Sequence, residues 1–201
     1  MITADELLAL WPDPHGTAVR ASARRDALRA RTIRIEDAPA HALPEHAAIV
    51  RDGDVVMLSA WPHARDLRAG DRLVVQVDAD PAARARYAEW LVAFARAVPP
   101  PCSIAPCSRI AAGLHPLWCI AATRIALPGD LVEARHDLLG IRLAQIALGF
   151  GADALTGPIA AERVLPLCGV PRPDEHTLAG LTALVRHAGL HPEPFATARS
   201  A

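Results

Sequence analysis

The chain has 201 residues, with 21 Lys+Arg against 22 Asp+Glu for a formal net charge of -1, and 52% of its residues are hydrophobic. This balance describes a globular protein and excludes the dense positive face that phosphate neutralisation demands of a nucleic-acid binder. Apart from histidine every basic residue is an arginine, which excludes chemistry that needs a lysine, such as a Schiff base or a phosphate-loop lysine.

At the N-terminus, Leu7, Leu8, Leu10 and Trp11 precede Pro12 and Pro14, and an arginine run (Arg20, Arg24, Arg25, Arg29, Arg31) follows. The pattern predicts a helical segment over residues 1–35, two short helices around a proline turn, with Thr3 or Asp5 as cap and the arginines exposed to solvent. Residues 36–79 read as β-rich. After Ile33 and Ile35, short apolar runs recur at Ala48-Ile49-Val50, Val55-Val56-Met57-Leu58 and Leu73-Val74-Val75-Gln76-Val77. Turn residues separate them, and Arg51-Asp52-Gly53-Asp54 predicts a hairpin.

From residue 80 to 201 helices and strands alternate. Tyr87, Trp90, Leu91, Phe94 and Val98 recur at helical spacing until Pro99-Pro100-Pro101 stops them. A helix over 117–127, a strand over 131–134, a helix over 138–150, a short strand at Ala154-Leu155 and a last helix over 177–188 follow. This alternation predicts parallel βα units, an α/β fold within one compact domain. Arg124, Arg142 and Gln145 interrupt the longest apolar runs, so no membrane span is expected. The acidic opening Asp5-Glu6 is unlike a secretory signal, and the expected compartment is the cytoplasm.

The stretch Gly140-Ile141-Arg142-Leu143-Ala144-Gln145-Ile146-Ala147-Leu148-Gly149-Phe150-Gly151-Ala152-Asp153 resembles the C-terminal part of the radical S-adenosylmethionine enzymes of the futalosine route to menaquinone. These are aminofutalosine synthase and dehypoxanthine futalosine cyclase, with the deazaflavin synthases as relatives. The likeness continues through Leu155-Thr156-Gly157-Pro158-Ile159, Glu162-Arg163-Val164 and the segment from Leu181 to Gly189. Upstream it includes the run from Ile120 to Pro128, the helix from Asp80 to Ala95, the strand Ile104-Ala105-Pro106 and, more weakly, Ala4 to Leu10. The resemblance implies a partial or shortened TIM-barrel-like set of βα units behind a β-rich N-terminal and middle segment.

Two departures shape the functional expectation. That family holds an iron-sulfur cluster through a CxxxCxxC loop, whereas the cysteines here are Cys102, Cys107, Cys119 and Cys168, with none between Glu36 and Gly70. Neither a cluster, another cofactor nor a metal site is therefore expected. The family's acidic run resembling GADDLDGT stands here as Gly151-Ala152-Asp153-Ala154-Leu155-Thr156-Gly157-Pro158, with one carboxylate of three retained.

The densest polar group is Val132-Glu133-Ala134-Arg135-His136-Asp137. On a strand Glu133 and Arg135 share one face, and Ala134 and His136 the other. His136, Glu133 and Asp153 are the acid/base candidates, and Arg135, His115 and Thr156 the ligand-binding candidates. His63, the His41/His46 pair and the Cys102/Cys107 pair lack metal-ligand spacing and read as structural. The expected function is that of a cluster-less homologue which binds a small molecule or accompanies a full-length radical enzyme or a second copy of itself. The alternative is a non-radical enzyme that reuses the barrel pocket.

Overall fold

Local signals set the first elements of the structure, a computed structural model that describes residues 2–161 and 175–195. Helix α1 (Ala4–Leu8) starts at a capping box in which Thr3 Oγ1 accepts from the Glu6 amide at 3.2 Å and Glu6 Oε2 accepts from the Thr3 amide at 2.8 Å. Helix α2 (Pro14–Arg29) is capped by Asp13, has proline in its first turn and is one long helix rather than a short one. Nothing breaks it until Ala30 and Arg31, whose φ values of 47° and 64° turn the chain into strand β1 (Thr32–Asp37).

The hairpin forms as expected. Strands β2 (Ala47–Arg51) and β3 (Asp54–Leu58) are joined by Asp52 and Gly53 at φ 51° and 90°, the twist a two-residue hairpin turn needs. Strand β4 (Arg72–Gln76), helix α3 (Pro81–Arg96), strand β5 (Ser103–Cys107), helix α4 (Leu114–Ala126) and strand β6 (Leu131–Arg135) follow. Where one helix was expected over 138–150 there are two, α5 (His136–Leu139) and α6 (Ile141–Gly149), because Gly140 at φ 77° and ψ 147° leaves the helical region between them. Strand β7 (Ala154–Gly157), helix α7 (Leu178–His187) and strand β8 (His191–Phe195) complete the order. Strand β8 was not expected. Its sequence, His-Pro-Glu-Pro-Phe, suits a sheet edge, and among the described residues it pairs with β1 alone.

Among the described residues the strands form one eight-stranded sheet in the order β3-β2-β4-β5-β6-β7-β1-β8. The antiparallel pairs are β2 with β3 and β2 with β4, and all others are parallel. Helices α3, α4, α6 and α7 make the crossovers, the α/β barrel-like architecture the sequence implied. Strand β1 inserts between β7 and β8, with Arg34 opposite Ala154 on one side and Glu193 on the other.

Side chains alternate across each strand, so the sheet has two unlike faces. Ile33, Ile35, Val132, Ala134 and Leu155 point outward into the helix layer with Ile120, Leu148 and Leu181, and Leu73, Val75 and Ile104 pack with Leu91 and Trp118. Tyr87 is buried in that layer, its hydroxyl 2.7 Å from Thr123 Oγ1. The inner face is small or polar. Ala48, Val74, Ala105 and Cys107 form a thin apolar patch beneath Leu43, Val55 and Leu138, and the alternate positions of β1, β4, β6 and β7 carry Arg34, Glu36, Arg72, Glu133, Arg135 and Thr156.

The arginine run is only partly solvent-facing. Arg20 and Arg24 are exposed, but Arg25 is buried and donates to the Leu148 carbonyl at the end of α6, and Arg31 donates to the Gly189 carbonyl at 2.6 Å. The carbonyls at the end of α6 draw the Arg25 guanidinium inward, whereas Arg31 makes its bond at the surface.

Candidate functional site

The inner face is organised around Arg72. Its Nε donates to Glu133 Oε1 at 3.0 Å, and its Nη1 donates to Glu36 Oε1 at 2.9 Å. Thr156 Oγ1 donates to Glu133 Oε2 at 2.9 Å, so both oxygens of this carboxylate are satisfied although the residue is 1% exposed. Arg72 starts β4 and its partners lie on β6 and β1. The residue facing it on the intervening strand is Ser103, short enough to let the guanidinium pass. Burial works against the charge on Arg72, but the attraction of Glu133 and Glu36 outweighs it and holds its pKa above the ordinary arginine value.

This chain of charges forms the floor of a cavity of about 740 Å³ whose wall includes Arg29, Arg34, Ser103, Gly129, Asp153 and Glu193. Arg29, Gly70, Pro101 and Gly129, which also line it, all precede strands, so the cavity opens at the N-terminal ends of β1, β4, β5 and β6. At its rim Asp153 accepts from the Val132 amide through Oδ2 at 2.8 Å, and the same oxygen pairs with Arg124. Arg124 is fully buried on α4 and also donates to the carbonyls of Gly151, Pro128 and Asp130. Burial lowers its pKa to about 10.

The opposite mouth is differently built. Arg135 grips Asp137 through two bonds of 3.0 and 2.7 Å and donates to the Pro39 carbonyl at 2.8 Å, which draws the segment after β1 across the C-terminal ends of the strands. His136 is 2% exposed, and among the described residues neither ring nitrogen has a hydrogen-bond partner. Its ring centre lies 5.6 Å from that of His176. The backbone of Gly157 packs against it so closely that a Cβ there would stand 2.7 Å from His136 Nε2. Burial pulls the pKa of His136 below the ordinary histidine value.

Among the candidates read from the sequence, Glu133 and Thr156 meet directly, and Arg135 shares their face nearer the C-terminal mouth. His136, Glu133 and Asp153 do not converge. Asp153 is bonded to the first half of β6, Glu133 lies within the strand and His136 follows its end, so the three are spread along the strand axis. His115 belongs to the helix layer. Its Nε2 lies 3.1 Å from the Val77 carbonyl oxygen, and its ring contacts Trp11 and Trp118. His63 and His46 are exposed, and His41 Nδ1 lies 3.0 Å from the Ala42 carbonyl oxygen. The sequence reading missed Arg72 and Glu36. Alternation with Leu73 and Val75, and with Ile33 and Ile35, already places both opposite the helix-covered face.

The described thiols do not fit an iron-sulfur cluster. Cys102 and Cys107 bracket β5, roughly 16 Å apart at the usual strand rise, and Cys119 is buried in α4. Burial pushes the thiols of Cys102 and Cys107 up to about 12, away from the thiolate a cluster requires. Cys168 lies outside the described residues. Among those residues no group of three His, Cys, Asp or Glu side chains is disposed to hold a metal ion, and no helix is long and apolar enough to cross a membrane.

No protein-family model matches the chain, and no curated protein matches it. Among solved structures it is similar to methylornithine synthase (PylB), with a TM-score of 0.54 and 12% sequence identity over 96% of this chain and 94% of that one. At that identity the likeness shows the fold alone, a TIM-barrel-like α/β architecture, and does not single out the menaquinone-route families.

Proposed function

We propose that this chain is a cluster-less relative of the futalosine-route radical enzymes and holds a small molecule in the cavity at the N-terminal mouth of its barrel. The observation that carries the reading is the Glu36-Arg72-Glu133 chain on the cavity floor. Buried ion pairs of this kind stabilise a fold little compared with apolar packing, so their concentration beneath an open cavity fits recognition of a polar ligand. The thiols that would activate S-adenosylmethionine in a radical enzyme have no counterpart among the described residues. On this reading the ligand is bound rather than transformed, and the protein either keeps it or presents it to a full-length enzyme or to a second copy. A catalytic reading through His136, Glu133 and Asp153 loses support from their spread along β6.

The test compares the wild-type protein with Ser103→Trp, which fills the cavity beside Arg72. Both are purified from the native cytoplasm, and extracted small molecules are identified by mass spectrometry. A compound retained by the wild type and lost from a folded Ser103→Trp protein is the expected result. Equal recovery from both, or a stoichiometric iron-sulfur absorbance after anaerobic reconstitution, overturns the reading.

A further inference from the structure

The two edges of the sheet are finished differently. At one, β8 carries Pro192 and Pro194, which have no amide proton to offer a further strand. At the other, β3 runs Asp54-Val55-Val56-Met57-Leu58 without a proline, and among the described residues it pairs with β2 alone. Val56 and Met57 lie on opposite faces of this strand and are 51% and 50% exposed. The hairpin register says which backbone groups are free. Its two-residue turn makes Arg51 and Asp54 a hydrogen-bonded pair, and the alternation of an antiparallel ladder makes Ile49 with Val56 and Ala47 with Leu58 the next ones. The other side of β2 is in phase with this, since Gln76 N donates to His46 O at 2.8 Å and Ala48 and Val50 face β4. The amides and carbonyls of Val55 and Met57 therefore point away from β2, along the open edge.

We infer that β3 is a dimerisation edge, to which a second copy of the chain adds its own β3, antiparallel, about a two-fold axis through Val56. In that register Val55 exchanges bonds with Met57 of the second copy, and Met57 with its Val55, so every outward amide and carbonyl is used. Val56 faces its own copy, and Asp54 faces Leu58. This is the two-fold register that pairs the whole strand; an axis through Val55 or Met57 leaves one end of β3 against the turn or beyond Leu58. It also sets the one charge of the strand against an apolar side chain rather than against its own kind. The half-exposed Val56 and Met57 are covered by Val56 and Val55 of the second copy. A contact of one short strand makes a weak dimer of micromolar constant rather than an obligate one. The cavity takes no part in it, so this inference and the small-molecule reading stand or fall separately.

Sedimentation velocity of the full chain over a concentration series tests this and should show a reversible monomer–dimer equilibrium. Val56→Lys sets two ammonium groups opposite each other across the axis and Val56→Glu two carboxylates, and each should weaken association about tenfold or more. Mixing the two variants places the lysine of one against the glutamate of the other and should restore the dimer. Val56→Cys gives a second readout that asks little of the fold. Directly opposed Cβ atoms at about 4.5–5.5 Å allow a disulfide between copies under mild oxidation, whereas Val55→Cys faces Met57 and should not form one with itself. The inference is overturned if the wild type stays monomeric up to millimolar concentration, if Val56→Lys associates like the wild type, if the mixed variants stay monomeric, or if Val56→Cys fails to cross-link.

Discussion

The two mouths of the barrel differ in how they use charged residues. At the N-terminal mouth charges from β1, β4 and β6 are linked across the sheet and leave a cavity open above them. At the C-terminal mouth Arg135 spends its charge on Asp137, two residues away, and on the carbonyl of Pro39, and an apolar patch fills the space beneath Leu43 and Leu138. Barrel active sites ordinarily occupy the C-terminal ends of the strands, where the βα loops converge. Among the described residues of this chain that end is closed by short-range pairing, and the charge-linked cavity lies at the opposite end.

The largest effect should come from the rim of the open mouth. Asp153→Ala leaves Arg124 buried without its carboxylate, and removal of one partner of a buried pair costs about 3–5 kcal/mol. Urea unfolding should report that loss. A loss below about 1 kcal/mol, the range of an exposed pair, would mean that the rim is wetter than its burial indicates. At the closed mouth Gly157→Ala puts a methyl group into His136 at a backbone φ of 140°. The strain expected there is about 1–3 kcal/mol, with the compound that co-purifies in the cavity at the other mouth still recovered. Loss of that compound from the folded variant would show that the mouths are coupled and would end the contrast.

The smallest effect is one of pH. Burial lowers the pKa of His136 below its ordinary value of 6.5, with Asp137 and Asp37 opposing the shift and His176 and Arg135 adding to it. The unfolded chain then takes up this proton first. Stability is complete above about pH 6.5, the unfolded histidine value, and declines as the pH falls from there toward the lower folded pKa. His115 has the same sign. Thermal unfolding followed from pH 8 downward should show the decline, and His136→Gln should flatten it. An unchanged slope in His136→Gln would assign the decline to other groups.

Much of the fold was legible because its signals are local. The capping box of Thr3 and Glu6, the Asp52-Gly53 turn and the proline stop after α3 each act within a few residues. Strand β8 was not legible, since Pro192 and Pro194 suppress every strand signal and only the pairing with β1 makes the segment extended. Glycine at 140 split a helix whose apolar period runs on through it. At the site, Glu133 stood out because acidic and basic residues crowd around it in sequence. Arg72 and Glu36 did not. Alternation gives the face each occupies, but their meeting depends on β1 lying beside β7 and on a serine lying between β4 and β6, and no short window of sequence contains either relation.

The insertion of β1 between β7 and β8 also sets a timetable for assembly. On the ribosome β1 emerges well before both strands that pair with it, which are encoded more than a hundred residues downstream, at Ala154–Gly157 and His191–Phe195. At ordinary elongation rates of about 5–20 residues per second, that strand waits on the order of ten seconds with both edges unpaired. Helix α2 and the hairpin can form in that interval, but β1 keeps an open edge until β8 is made. Over that stretch of synthesis β1 presents two unpaired edges, the feature that makes incompletely folded sheets prone to join the wrong partner.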